Sequence, residues 1–328
     1  MIHILAISSF VCFLLSWVLN LLLLFCLIYH NSAQNNGYRR ISLAIVVFDL
    51  LFSAAYAITV PLWHSDGHAL LLLIPVGYTS TLPSGNFLNW LIRPSFVIWH
   101  AGMITTSFLV AATFAYRYTV ICNSQRLKSW YYSKILRTVI LLFCTTFALT
   151  QGLLLDRVME PIDKLTATMN HVLQDVYGVD FTQVYYQGSD LSDPDMSSRG
   201  LVGMAMSGVF QLSFVAIIFV VFYTGSKMHT VIRRNTISHR AQAKHQQVFR
   251  MLVCQALSPF LFLYLPPLID ATCVTIGYYV PLPICIAKAF LVYLFPIANP
   301  LAILIFTDDY RYFIRNSKQR IKSENSIN

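Results

Sequence analysis

The chain is 328 residues long, 56% hydrophobic and 11% charged, with a formal net charge of +9. Soluble domains carry about 25% charged residues, so this composition argues against a soluble enzyme, a nucleic-acid-binding domain or a disordered chain. It points to a polytopic membrane protein, in which the meaning of the positive charge depends on where the basic residues lie.

Crossing the hydrocarbon core takes about 20 mostly apolar residues in a helix. The first such run is 4–28. It lacks a basic n-region, is long, and ends Leu27-Ile28-Tyr29 rather than at small residues, so it reads as a retained helix and not a cleaved signal peptide. The second run is 41–62. Ala69–Val76 is apolar but too short to span, and reads as a loop or an interfacial turn. The third run, 95–116, follows Pro94, and the fourth is 135–155. The connection 156–200 is the longest. Within it Leu165, Met169, Val172, Leu173 and Val176 recur at helical spacing, with Pro161 tolerated in the first turn. That stripe predicts a short helix, lying either across the bundle mouth as a lid or on the lipid headgroups. Runs 201–223, 248–270 and 282–306 complete seven, the last with Pro283 near its start. Beyond them Thr307 precedes Asp308 and Asp309, a favourable helix start. Tyr310, Tyr312 and Phe313 then interleave with Arg311, Arg315 and Lys318. The expected fold is an all-α, seven-transmembrane bundle over 1–306, followed by a cytoplasmic amphipathic helix and tail over 307–328.

Basic residues orient the bundle. Of the 23 Lys and Arg, all but Arg93, Arg157, Lys164, Arg199 and Lys288 fall in 29–40, 117–137, 224–250 or the tail. Positive loops stay cytoplasmic, which places the N-terminus outside and the C-terminus inside. Most carboxylates lie on the opposite side, among them Asp66, Asp156, Glu160, Asp163, Asp175 and Asp180. The basic face suits anionic lipid and also suits docking of a cytoplasmic partner.

Most of the seven cysteines fall within apolar runs, where a thiol is a small hydrophobe. Cys122 is a candidate for palmitoylation. Cys273 reads as an outer-loop residue, and the long outer loops contain no cysteine, so no disulfide joins them. No Asn-x-Ser/Thr sequon occurs. His64, His68, His100 and His171 lack metal-site spacing, and no GxSxG, Walker A or GxGxxG pattern is present. No catalytic residue, cofactor or metal is expected.

Polar groups inside spans are costly and mark function or packing. Asn20, Asp49 and Asn299 are expected to form one interhelical cluster, a clasp that doubles as a hinge. Pro61, Pro259, Pro266, Pro267, Pro296 and Pro300 interrupt helices and permit bends. Pro267 and Pro300 join Asn20, Asp49 and Asn299 as candidate switch residues. Lys288 either snorkels outward or pairs with Asp270.

Tyr116-Arg117-Tyr118 resembles the Asp-Arg-Tyr motif of seven-transmembrane G-protein-coupled receptors, with Tyr in place of the acid. Asn299-Pro300-Leu301-Ala302-Ile303 resembles Asn-Pro-x-x-Tyr, and Asp49 resembles the acid of helix two. Tyr293 stands where an opsin would carry its Schiff-base lysine. The chain is most similar to the Str group of the nematode serpentine chemoreceptors. The matching residues are His245-Gln246-Gln247 with Arg250-Met251-Leu252-Val253-Cys254-Gln255 and Pro259, Tyr264-Leu265-Pro266-Pro267, Tyr177-Gly178-Val179-Asp180, and Phe295-Pro296-Ile297-Ala298-Asn299-Pro300 with Asp309-Tyr310-Arg311. The resemblance implies a chemosensory receptor in the plasma membrane of sensory cilia. Its partners would be a small odorant-like molecule and a heterotrimeric G protein.

Depth alone nominates Trp99, His100, Met103, Phe210, Gln211, Tyr264 and Tyr293 as ligand contacts in an apolar pocket. Arg117, Tyr118, Arg233, Arg234, Arg250 and Arg311 are candidates for G-protein coupling. A channel or transporter is the alternative. It calls for paired charges along a pathway or for inverted repeats; Asp49 and Lys288 lie within spans at different depths, and no repeat is visible. Epitope tags at the two termini, probed on intact cells, should show the N-terminal tag exposed and the C-terminal tag protected. Exposure of both on one side would rule out this threading.

Overall fold

The computed structural model describes residues 2–29, 36–75, 85–122, 133–159, 165, 170–178, 184–190, 197–234, 239–308 and 310–312. Within these, a number of side chains, Phe210, Gln211 and Arg234 among them, lie outside the description. Seven helices are long and apolar enough to cross a membrane. They are α1 (Ile2–Tyr29), α2 (Asn36–Thr59), α3 (Gly85–Ile121), α4 (Lys134–Val158), α5 (Ser197–Arg234), α6, and α7 (Leu282–Phe306). Helix α6 has three parts, His239–Pro259, a π-helical turn Phe260–Tyr264, and Leu265–Ile276. The bundle is turned inside out relative to a soluble protein. Leu141, Leu142 and Phe143 of α4 and Leu212, Phe219 and Phe222 of α5 point outward, while Ser16, Asn20, Asp49, Gln255 and Asn299 are buried. In water such a surface would aggregate; against acyl chains it is simply solvated. Small residues let helices approach closely. A Cβ on Gly152 of α4 would sit 3.0 Å from the Val97 carbonyl oxygen of α3.

Prolines shape α6. Pro259 closes its first part, and Pro266 and Pro267 open its last. Proline has no N–H and crowds the preceding turn. Between them the ladder widens, and the Leu265 N–H donates to the Phe260 carbonyl five residues back.

A three-stranded antiparallel sheet closes one end of the bundle, in the order β1 (Leu62–Asp66), β2 (Ala69–Pro75), β3 (Val184–Asp190). Leu62 pairs with Leu73 and Asp66 with Ala69, and Leu71 in turn pairs with Gly188. Gly67, first of the two hairpin-loop residues, has φ +58, a conformation that suits glycine.

Several sequence expectations change here. The apolar stretch beginning at Ala69 is the central strand and not a loop or interfacial turn. Leu71 and Leu72 are both 0% exposed, so a continuous apolar run is what a strand covered on both faces requires. The second span ends at Thr59 rather than 62, because Pro61 disfavours the helical conformation at Val60, which turns the chain with φ 41 into β1. Pro61 therefore follows a helix and interrupts none. The third helix begins at Gly85, with Pro94 inside it rather than before it. Cys273 also moves, from an expected loop into the last part of α6. Of the expected helix in 156–200, the described part is helical at 165 and 170–171 and ends in a π-helical turn, Val172–Tyr177. Its Val172, Leu173 and Tyr177 are buried, with Leu165, in the same core as Leu71 and Leu72. It rests on the sheet rather than on headgroups alone. After α7, Tyr310 is buried while Arg311 and Tyr312 are exposed, and Arg311 pairs with Asp308. Residues 313–328 of the expected tail lie outside the described residues.

His64 of β1 is wholly buried under this roof. Its Nδ1 lies 3.0 Å from the Tyr177 hydroxyl and 3.4 Å from Cys285 Sγ of α7. Tyr279 packs edge-on against the ring. Burial, and then the Lys288 charge, lower its pKa from 6.5 to about 4. His64 is therefore neutral at neutral pH, and the stability it confers on the roof is lost as pH falls from 6.5 toward about 4. Hydrogen exchange of the β1 and β2 amides, corrected for intrinsic rates, should quicken between about pH 7 and about pH 5. The His64→Gln variant should show a flat profile. Equal acid sensitivity in that variant would remove His64 as the titrating group.

Candidate functional site

Three polar arrangements run along the bundle axis. At the sheet end Lys288 of α7 pairs with Asp270 of α6. Both side chains are almost fully buried. The Ser65 hydroxyl of β1 donates to the same carboxylate oxygen at 2.9 Å, and the Val280 N–H donates to the Ser65 carbonyl at 3.0 Å. One carboxylate thus ties α6, α7 and the roof together. A second tie joins the Gln187 amide of β3 to Asp156 of α4 at 2.8 Å, with Arg93 of α3 3.7 Å away. Beneath the ion pair lies an aromatic cage. The Trp99 ring is 5.6 Å from Tyr56 and 5.6 Å from Phe96, and Tyr56 is 5.3 Å from Tyr293. Trp99, Met103, Leu263, Pro267, Asp270 and Lys288 help line a cavity of about 10 Å³. That is room for one water molecule and no more.

At mid-depth the Asn299 amide of α7 donates to Asp49 Oδ2 of α2 at 2.9 Å, and the Gln255 amide of α6 donates to Asn299 Oδ1 at 3.1 Å. In a low-dielectric interior each such bond is expensive to leave unmade. Asn20 of α1 donates instead to the Pro296 carbonyl of α7 at 3.0 Å, a carbonyl that also accepts from Ser16 at 3.3 Å. Pro300 has no N–H to return to that carbonyl four residues back, so α1 side chains fill the place of the missing bond.

At the opposite end, where the chain leaves α7, the Arg117 guanidinium of α3 lies over the Tyr38 ring of α2, 3.9 Å from its centroid. The Tyr38 hydroxyl reaches Met251 Sδ of α6 at 3.6 Å, and Thr307 Oγ1 reaches the same sulfur at 3.7 Å. Tyr38, Tyr116, Met251, Ile303 and Tyr310 share one buried cluster. The contact chain links α2, α3, α6 and the end of α7, and it is closed. Arg117 is held by a ring face rather than by a carboxylate, consistent with Tyr116 standing beside it where a motif acid would be.

Residues 5–315 match the family of serpentine type 7TM GPCR chemoreceptors, Str. The chain belongs to that family. No curated protein matches it. The Str chemoreceptors are receptors and not an enzyme family, and this chain is accordingly a multi-pass membrane protein built on seven spans.

The Str fold brings some expected site residues together and separates others. Asp49 and Asn299 meet directly, while Asn20 joins α7 one turn away through Pro296. Pro300 follows Asn299 within α7, but Pro267 lines the cage near Asp270, away from this network. Trp99 and Met103 share the cage. Tyr293 touches its wall from the far side of Tyr56. Tyr264 stacks on Phe214 with centroids 3.5 Å apart. His100 neighbours Trp99 at 6.2 Å and does not line the cage. Phe210 and Gln211 fall outside the described side chains. Near the tail end, Arg233, Arg250 and Arg311 are exposed, and Tyr118 packs partly buried beside Phe114 and Met228. Gln255, Ser65, His64, Tyr38 and Met251 were not anticipated as site residues. Gln255 carried a usable signal, a carboxamide within an apolar run; Tyr38 carried none, since it precedes the apolar part of its helix. Among the described residues no group of three or more His, Cys, Asp or Glu side chains forms a metal site.

Removing one member of a buried ion pair strands the other, at a cost of about 3–5 kcal/mol, whereas replacing both is close to neutral. Lys288→Met should therefore lower thermal stability in detergent by a margin of that order. Adding Asp270→Leu should restore most of it. Equal destabilisation by the single and the double variant would show that the pairing is not what holds α6 to α7.

Proposed function

We propose that this Str-family protein is a chemosensory receptor of the plasma membrane of sensory cilia. It binds a small, apolar, odorant-like molecule within the bundle and activates a heterotrimeric G protein at the tail end. In this reading the sheet end faces outward and the tail end faces the cytosol, an orientation that the distribution of Lys and Arg supports. Family membership supports the receptor class, and one observation carries the mechanism: the closed chain Arg117–Tyr38–Met251 between α3, α2 and α6. The tail-end half of α6 cannot move away from the bundle without parting Tyr38 from Met251, and parting them frees the ring that covers Arg117.

The π-helical turn Phe260–Tyr264, flanked by Pro259 and Pro266, is the place where α6 can bend. Tyr264 at its end belongs to the same core as Trp99, Met103 and Tyr293. A ligand that packs against this wall favours one bend over the other, and its differential affinity for the two arrangements is the whole of the signal. In the mid-bundle, Gln255 of α6 donates to Asn299 of α7, so the two helices re-pack as a unit. Once uncovered, Arg117 and the exposed Arg233, Arg250 and Arg311, with Tyr118 and Arg234, form the face against which a Gα segment docks. The basic tail end also lies against anionic lipid.

Cells expressing the protein with a promiscuous Gα should give calcium responses to a subset of a panel of volatile and water-soluble compounds. Arg117→Ala should abolish those responses with surface expression intact. Normal signalling from that variant would remove the role assigned to Arg117. A ligand-evoked current independent of any G protein would replace the receptor reading with a channel.

A further inference from the structure

The cage beneath the roof has room for one water molecule, yet a larger cavity lies elsewhere in the bundle. It is a groove of about 180 Å³ between α3, α5 and α6, lined by Val110, Ile217, Val221, Ala256 and Phe260 with Ser107 at its floor. We propose that this groove is a ligand site entered sideways from the bilayer. Its occupant is a neutral, lipid-soluble molecule about the size of one aromatic ring, bearing a single hydroxyl.

Four observations support this. The first is access. Phe222 and Leu257 on the groove rim are 76% and 48% exposed, on membrane-spanning stretches where exposure means contact with lipid. Toward the sheet end the path is filled by Trp99, Met103 and Leu263 and covered by Leu71 and Leu72.

The second is size. An apolar cavity of about 150 Å³ in a protein interior stays dry and takes up benzene. This groove is slightly larger, too small for a whole lipid and suited to one ring with a short substituent.

The third is polarity. Ser107 Oγ donates its own proton to the Met103 carbonyl at 2.8 Å. Its oxygen keeps lone pairs that accept, so the matching group on the ligand is a donor. A hydrogen bond formed in so dry a site is strong, and a charged ligand would be excluded by desolvation.

The fourth is mechanical. One wall is Pro259, Phe260 and Tyr264, the π-helical turn itself. Met103 and Ser107 sit one turn apart on α3, so groove and cage are neighbours, and Tyr264 meets both the groove and the core around Trp99. An occupant presses on the segment where α6 bends. The identification of this groove as the sensing pocket rests on the receptor reading; the existence of the site does not.

A benzyl alcohol carrying an aryl diazirine serves as a probe on the full chain in lipid nanodiscs, with attachment sites mapped by peptide mass spectrometry. Labelling should fall on 214–222 and 256–264 and should be displaced by excess benzyl alcohol. Ala256→Trp, which fills the groove, should reduce it about tenfold or more. Ser107→Ala, a change that leaves packing intact, should weaken competition by benzyl alcohol about tenfold and leave competition by toluene unchanged. Labelling spread equally over lipid-facing Leu141, Leu142 and Phe143 and insensitive to competitor would mean adventitious partitioning only and would overturn the proposal. Displaceable labelling at Trp99 and Met103 in place of the groove would overturn it as well. No G protein is present in the measurement, so a protein that labels as expected but never signals loses the receptor reading and keeps the site.

Discussion

A lysine ammonium on a membrane-spanning helix must reach water or meet a carboxylate. Lys288 meets Asp270, and much of the sheet end follows from that contact. The pair draws the last part of α6 against the start of α7. Because Asp270 also accepts from Ser65, the same carboxylate anchors β1. With β1 anchored, the hairpin lays β2 across the bundle, and β3 completes the sheet from a distant part of the chain. In water such a pair is marginal. Away from water its members have few alternatives to each other, which is why one ion pair can organise a roof.

The central leucines of the sheet are fully buried, and the aromatic cage under it is packed rather than hollow. A roomier groove lies between α3, α5 and α6. Its wall on α6 is the proline-bounded π-helical turn, so the segment that can bend also borders the groove.

The tail end works by a different interaction. With Tyr116 in place of an acid beside Arg117, the guanidinium finds a π face in Tyr38, whose hydroxyl reaches a sulfur on α6. Cation–π and sulfur contacts are weaker than an ion pair. Contacts of this strength hold α2, α3 and α6 together at the tail end and cost little to part.

The seven spans were legible because the bilayer imposes both a length and an absence of charge, and those constraints act on each segment separately. Asp49, Asn299 and Lys288 stood out for the same reason: a polar group in an apolar run is conspicuous without any knowledge of its neighbours. The sheet was not legible, since Ala69–Pro75 is too short for the membrane rule and its partners, Leu62–Asp66 and Val184–Asp190, are joined to it by register, a property of pairs of segments. The Tyr38–Arg117–Met251 chain was hidden likewise, its three members being far apart in the chain. What the residues determined alone was how many times the chain crosses and which polar groups had to be satisfied. Which partner satisfies each, and where the bundle is closed or hollow, was decided only when the helices packed, because a hydrogen bond and a cavity both belong to two surfaces at once.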